Sequence, residues 1–231
     1  MRTMIDLHTH SIFSDGELIP AELARRAAAA GYRALAITDH GDASNIDFII
    51  PRMVRVCGKL TEGLGIDVIP GIELTHVPPE QINEIVVESR RLGARIIVVH
   101  GETIVEPVAP GTNRAALDAP IDILAHPGLI TEADARRAAE RGIFLEITTR
   151  SGHCLTNGHV LRMARQFNAG LVLNTDSHDP RDLVGRETAW KIAAGAGMTG
   201  KEIKVMFRNS ATLLRRAKTG KGEVLRAERR A

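Results

Sequence analysis

The sequence predicts an α/β fold, a distorted TIM-like barrel of seven β/α units, and three observations carry that prediction. Short aliphatic runs alternate with longer helical patterns along the chain, the mark of repeated βα units. Aromatic residues are only 3% of the composition while 44% is hydrophobic, so the core must be built from Ala, Val, Ile and Leu. That composition suits parallel strands buried under helices. Finally, histidines and acids recur at the C-terminal ends of the aliphatic runs, where barrel enzymes assemble their sites from βα loops. A length of 231 residues fits one such barrel better than two ordinary domains.

Seven runs read as strands: 3–7, 34–38, 67–74, 95–99, 121–125, 143–148 and 170–175. Helical patterns lie between them at 20–30, 45–60, 79–92, 112–117, 132–141 and 158–167, and two more follow at 181–195 and 201–216. Pro20 suits a first helical turn, where its missing N–H costs nothing, and Gly31 suits the left-handed position that ends a helix. Pro79 and Gly93 bracket the third helix in the same way. Thr131 is placed to cap the helix after it, with Glu132 and Asp134 favourably set against the helix dipole. No eighth strand is visible. The expected organisation is one barrel domain over 1–216 and a basic C-terminal tail over 217–231.

Charge and cysteine usage narrow the setting. Residues 215–231 hold seven basic and two acidic side chains, so taking their excess of five from the overall +2 leaves −3 for the body. The high isoelectric point therefore belongs to the tail, which reads as a solvated helix end. The lone lysine in Gly220-Lys221-Gly222 lacks the preceding strand and spacing of a phosphate-binding loop. Cys57 and Cys154 lie far apart without a CxxC pair, which points to a reducing compartment. The N-terminus has an acid where a signal peptide needs an apolar run, and no stretch reaches the roughly 18 apolar residues of a membrane helix. A cytoplasmic protein without membrane contact is expected.

The chemistry lies in the residues at the strand ends. His8 and His10 follow the first strand, with Asp15 beyond them. His40 follows the second in Thr38-Asp39-His40, and Glu73 closes the third. His100 follows the fourth, His126 the fifth, and Asp176 and His178 the seventh. Six of the nine histidines are placed this way, leaving His76, His153 and His159. In His8-Thr9-His10 and Asp176-Ser177-His178, strand alternation sends the outer two side chains to one side. Imidazole and carboxylate without thiolate suit zinc, iron or manganese. One HxH, or one histidine after a strand, is an ordinary loop feature, but here six segments converge on one rim. Nine candidate ligands exceed what one ion needs, so two or three divalent transition-metal ions (Zn, Mn or Fe) are expected.

The series His8-x-His10, Asp15, Thr38-Asp39-His40, Glu73, His100, His126-Pro127 and Asp176-Ser177-His178 resembles the polymerase and histidinol phosphatase (PHP) superfamily, in its single-domain, histidinol-phosphatase-like form. The likeness runs from about residue 3 to residue 178. It implies a distorted seven-stranded barrel holding up to three ions. One would be bound by His8, His10, Glu73 and Asp176. A second would share Glu73 and add His100 and His126, and a third would use Asp15, His40 and His178.

Such a site suits phosphoester hydrolysis, with activated water as nucleophile and ions neutralising the phosphate oxygens. Arg150, directly after the sixth strand, is the candidate to hold the phosphate through its planar fork. His153 in the same loop would protonate a leaving oxygen or line the pocket. Arg186 is a weaker candidate for the phosphate. The expected substrate is a small phosphorylated metabolite, histidinol phosphate-like or a nucleotide. The alternatives are a nuclease or polymerase-editing module, a non-catalytic RNA-binding relative as in archaeal ribonuclease P, and a metal-dependent C–N hydrolase. The acidic body argues against nucleic acid as partner, and an intact ligand set argues against a non-catalytic role.

Overall fold

A computed structural model describes residues 4–219 and shows parallel strands curled into a nearly closed barrel within a ring of helices. The elements run β1 (Met4–Asp6), α1 (Pro20–Ala29), β2 (Tyr32–Ile37), β3 (His40–Gly41), α2 (Ile46–Leu64), β4 (Asp67–Leu74), α3 (Ile82–Leu92), β5 (Ile96–His100) and α4 (Thr112–Asp118). They continue β6 (Ile123–Ala125), α5 (Glu132–Arg141), β7 (Phe144–Thr148), α6 (Asn157–Phe167), β8 (Leu171–Asn174), α7 (Arg186–Gly195) and α8 (Gly200–Thr219). The sheet order is β1-β2-β4-β5-β6-β7-β8, which accounts for the seven predicted strands, and the two-residue β3 pairs with the far end of β4.

Alternation along the strands divides the core in two. Ile5, Ala34, Ile69, Ile96, Ile123 and Val172 fill the barrel interior. Their neighbours Leu35, Ile72, Ile97, Leu124, Leu145 and Leu173 pack outward under the helices. The same parity, continued toward the C-terminal rim, carries Glu73 inward above Ile69 and His100 inward above Ile96. Gly71 sits between Ile69 and Glu73, and a Cβ there would lie 2.6 Å from the Thr38 methyl and 2.9 Å from the Ile96 carbonyl oxygen. Only glycine lets β4 lie this close to its neighbours.

The edge between β1 and β8 is joined at the rim. Thr9 and Ser177 form a parallel bridge, with His10 N donating to Ser177 O at 2.9 Å and Asp176 N to His8 O at 3.0 Å. Below the bridge, the buried Asp6 carboxylate accepts from the Thr175 amide and hydroxyl.

The opposite end is sealed by α8. Leu213, Leu214 and Ala217 join the interior cluster. Asn209 Nδ2 donates to Leu171 O, and Lys218 pairs with Asp67, so the helix is tied to the starts of β8 and β4. Burying each leucine stabilises the fold by about 1.5–3 kcal/mol. The helix continues three residues past the expected end of the barrel domain at 216. The rest of the expected tail, Gly220-Lys221-Gly222 included, lies outside the described residues.

Some boundaries differ for local reasons. The helix expected from 181 begins at Arg186, because Asp182 Oδ2 accepts from the amides of His178 and Asp179 and holds that segment as a turn. Pro79 opens a 3₁₀ turn over Pro79–Gln81, and α3 follows it. Thr131 caps α5 as expected, accepting from Asp134 N at 3.1 Å. Cys57 and Cys154 are free thiols. Among the described residues no helix is long and apolar enough to cross a membrane.

Candidate metal centre at the barrel mouth

The Thr9–Ser177 bridge explains how two distant tripeptides meet. Pairing Thr9 with Ser177 sets His8 and His10 beside Asp176 and His178, on the face opposite the two bridging side chains. The His10 and His178 rings stack at 4.2 Å. Thr9 is itself fixed to β2, through Thr9 Oγ1 to Ala36 O at 2.7 Å and Thr38 N to Thr9 O at 2.8 Å. Asp39, beside His40, accepts from Ser11 N, Ser11 Oγ and Ser14 Oγ, which orders the loop that presents Asp15.

Glu73 stands at the centre, fully buried. Its Oε1 lies 3.2 Å from His8 Nε2 and 3.7 Å from His126 Nε2, and its Oε2 lies 2.9 Å from His40 Nδ1 and 3.5 Å from His10 Nε2. Asp176 Oδ1 lies 3.2 Å from His10 Nε2 and 3.6 Å from His8 Nε2, while its Oδ2 is 3.5 Å from His126 Nε2. Asp15 Oδ1 lies 3.3 Å from His40 Nε2 and 3.1 Å from His178 Nε2. His10, Asp15, His40 and His178 thus make one group of donors within 4.8 Å of one another. His8, His10 and Glu73 make a second, and His100, His126 and His153 a third.

These residues fit divalent ions on two grounds. Donors about 2.0–2.2 Å from a shared tetrahedral ion stand about 3.3–3.6 Å apart, which is the spacing seen here. In addition His8 Nε2, His10 Nε2, Glu73 Oε1 and His126 Nδ1 are buried without a hydrogen-bond partner. Unpaired buried polar atoms are costly, and four in one site call for a cation.

The imidazoles are held so that their Nε2 lone pairs face inward. His8 Nδ1 donates to Glu146 Oε1 at 2.9 Å, His100 Nδ1 to Gly101 O at 3.1 Å and His178 Nδ1 to Asp176 O at 2.9 Å. A carboxylate or carbonyl can only accept, so each Nδ1 carries the proton and each Nε2 is free to ligate. His126 and Asp176 adopt left-handed backbone conformations, φ 26° and 52°. Such strain gathers at functional sites.

Electrostatics agree with a site short of positive charge. Burial pulls the His10 and His126 imidazoles well below their usual range, with His40 adding to the effect at His10 and His100 at His126. His40 goes the other way: burial opposes its proton, yet the Asp15 and Glu73 carboxylates raise it to about 10. Asp15 falls below the usual carboxylate range because the His178 and His40 bonds overcome its desolvation. In the metal-free protein, protons occupy the places that cations would take.

All nine strand-end residues therefore meet at one rim. A cavity of about 240 Å³ opens onto them, lined by Asp15, His40, Thr75, His76, His100, Glu106, Arg150, His153, Asp176 and His178. Arg150 Nη1 donates to Asp182 Oδ2 at 2.7 Å, which orients the guanidinium at the wall of the cavity. His153 is buried, its Nδ1 2.8 Å from Thr103 Oγ1. Arg186 is elsewhere, stacked over Phe207, and His159 Nε2 donates to Ile130 O in a packing role. A larger cleft of about 380 Å³ between α6 and α8 holds the Arg165–Glu202 pair and no donor cluster.

Two functional candidates escaped the sequence reading. Glu146 lies within β7, the one strand to whose end the sequence pattern assigns no ligand. It bonds His8, accepts from His126 N at 3.2 Å, and is grouped with both histidines. Its inward parity relative to Leu145 and Ile147 was the available signal. Glu106 lies in a loop without periodicity, and no sequence signal marked it.

An aliphatic barrel closed at one end and ringed by histidine and carboxylate at the other defines an α/β-barrel protein with a candidate metal site at its mouth. Residues 6–150 match the PHP domain, and the chain belongs to that family. It is 49% identical over 201 residues to an uncharacterized protein of Methanocaldococcus jannaschii, covering 86% of this chain and 92% of that one. It is 30% identical to a probable phosphatase of Edwardsiella ictaluri, covering 78% and 80%. It is 27% identical to ribonuclease P protein component 3 of Methanosarcina barkeri, covering 77% and 74%. Among solved structures, histidinol phosphate phosphatase from Lactococcus lactis, complexed with zinc, L-histidinol and phosphate, superposes with a TM-score of 0.59. That match has 18% identity and covers 85% of this chain and 95% of the other, so it speaks for the fold.

Proposed function

We propose that the protein is a metal-dependent phosphoesterase acting on a small phosphorylated metabolite, histidinol phosphate-like or a nucleotide. The observation that carries this reading is Glu73, whose two oxygens face four imidazoles beneath an open cavity. His8, His10, Glu73 and Asp176 would hold one ion, Glu73 with His100 and His126 a second, and Asp15, His40 and His178 a third. When bound, such ions supply Lewis acidity toward phosphoryl oxygens and lower the pKa of a coordinated water.

The side chains of the chain do the rest. Glu146 fixes the His8 tautomer, and Asp182 orients Arg150 so that its remaining N–H groups can bind a phosphate oxygen. His153 stands across the cavity with Nε2 turned toward Glu106. That places it beside a departing oxygen or among the donors, and its neighbours favour the donors.

The test is metal analysis of the purified protein followed by a phosphate-release screen over phosphorylated metabolites and nucleotides. Release that depends on added Zn, Mn or Fe and is lost in Glu73→Gln supports the reading. A metal-loaded protein that releases no phosphate from any of them refutes it. The likeness to ribonuclease P component 3 favours a second reading, an RNA-bound subunit. Tight, salt-sensitive binding of structured RNA by the same preparation would support it.

A further inference from the structure

We infer that Glu106 and His153 complete a metal site with His100 and His126, giving the second ion four donors beyond the shared Glu73. The inference rests on the metal-dependent reading above and adds two residues that the strand-end pattern does not contain. Glu106 Oε2 lies 3.1 Å from His100 Nε2, and its Oε1 lies 3.3 Å from His153 Nε2. His100, His126 and His153 already have donor atoms within 4.8 Å of one another, all three buried. One carboxylate and three imidazoles, with Glu73 as the shared fifth donor, are a donor set that suits a divalent ion such as zinc.

The loop that carries Glu106 is anchored firmly enough for a ligand. Glu102 Oε1 accepts from Gly111 N and Asn113 N, while Asn113 Oδ1 accepts from Glu102 N and Asn113 Nδ2 donates to Pro127 O. Gly128 packs so tightly beneath the loop that a Cβ there would fall 1.8 Å from Glu102 O. Thr103, next to Glu102 in the chain, holds His153 Nδ1 at 2.8 Å and leaves Nε2 for ligation. A carboxylate at a partly exposed loop tip would ordinarily turn to water. This one is turned to His100, at the end of the strand before it, and to His153 in the loop after β7, and His76 Nε2 stands 3.5 Å away as well.

The experiment needs no substrate. The full chain is stripped of metal and titrated with Co(II) against a competing chelator, with the visible absorption of the bound ion recorded. Glu106→Gln and His153→Asn should each weaken one ion at least tenfold and alter its absorption, leaving the remaining ions at wild-type affinity. Asp15→Asn should weaken a different ion, so that the double variant Asp15→Asn/Glu106→Gln loses both. Glu106 is partly exposed and its glutamine variant should melt like wild type when metal-free, so it decides the matter even if His153→Asn misfolds. Wild-type affinity and spectrum in Glu106→Gln would overturn this inference alone, as would loss of the same ion in Asp15→Asn. A wild-type chain that takes up no ion overturns it together with the metal-dependent reading.

Discussion

Replacing Glu146 by glutamine tests the claim that β7 serves the site from within the strand. The carboxylate is fully buried and accepts three hydrogen bonds. Oε1 takes His8 Nδ1 at 2.9 Å and Asn174 Nδ2 at 2.8 Å, and Oε2 takes His126 N at 3.2 Å. Glutamine has the same shape but one of its two ends becomes a donor. With its oxygen toward His8 and Asn174, its NH₂ faces the His126 N–H; reversed, it faces two donors. One buried group is therefore left unpaired in the better orientation, costing about 1–3 kcal/mol of stability. His8 also loses the anionic partner that fixes its tautomer and raises its basicity, a change that typically costs 10–100-fold in metal affinity. Urea denaturation of the metal-free protein reads the first effect and chelator competition reads the second. An affinity within twofold of wild type would show that Glu146 is a packing residue with no hold on the site.

Other outcomes follow from the same geometry. His126→Ala should abolish metal-dependent phosphate release while leaving the circular dichroism spectrum intact, because the rim lies outside the aliphatic core; activity within a few-fold of wild type would refute its place in the centre. Arg150→Lys keeps the charge but loses the fork, so steady-state kinetics should show kcat/KM reduced by about 1–3 kcal/mol equivalent with metal content unchanged. Metal uptake should release protons, since His40, raised to about 10 by its carboxylate partners, is protonated at neutral pH and must be neutral to ligate. Affinity at that position should therefore rise with pH below 10, and titration calorimetry in two buffers of different ionisation enthalpy should give different heats; identical heats would refute the assignment.

What the sequence disclosed followed from period and position. An aliphatic run announces a strand, and a histidine or acid at its C-terminal end announces a rim residue, so His8, His10, His40, Glu73, His100, His126, Asp176 and His178 could be placed without coordinates. Glu146 was marked only by its inward parity in the strand, and that parity gains a meaning once β7 is seen beside His8. Glu106 depends on a loop whose shape comes from Glu102, Asn113 and the crowded Gly128, contacts with no periodicity to read. The two-residue β3 is too short to show alternation, and the left-handed backbone at His126 and Asp176 is imposed by the site and not by local preference. The role of α8 was hidden differently: its apolar stripe predicts a helix, but nothing in it says that Leu213 and Leu214 face the barrel interior instead of its flank.

That plugged floor has a consequence for traffic. With Leu213, Leu214 and Ala217 seated against the interior aliphatic layer, the described residues open the donor ring to solvent at the other end, through the cavity beside Arg150, Glu106 and Asp15. Ions, and the phosphoester of the proposed reaction, would pass through that opening, and the deepest donors, His8 and Glu73, are fully buried beneath it. An occupant lodged across the entrance imprisons whatever lies below. Free phosphate held at the mouth should accordingly slow the escape of ions to a chelator, an order of departure dictated by architecture alone.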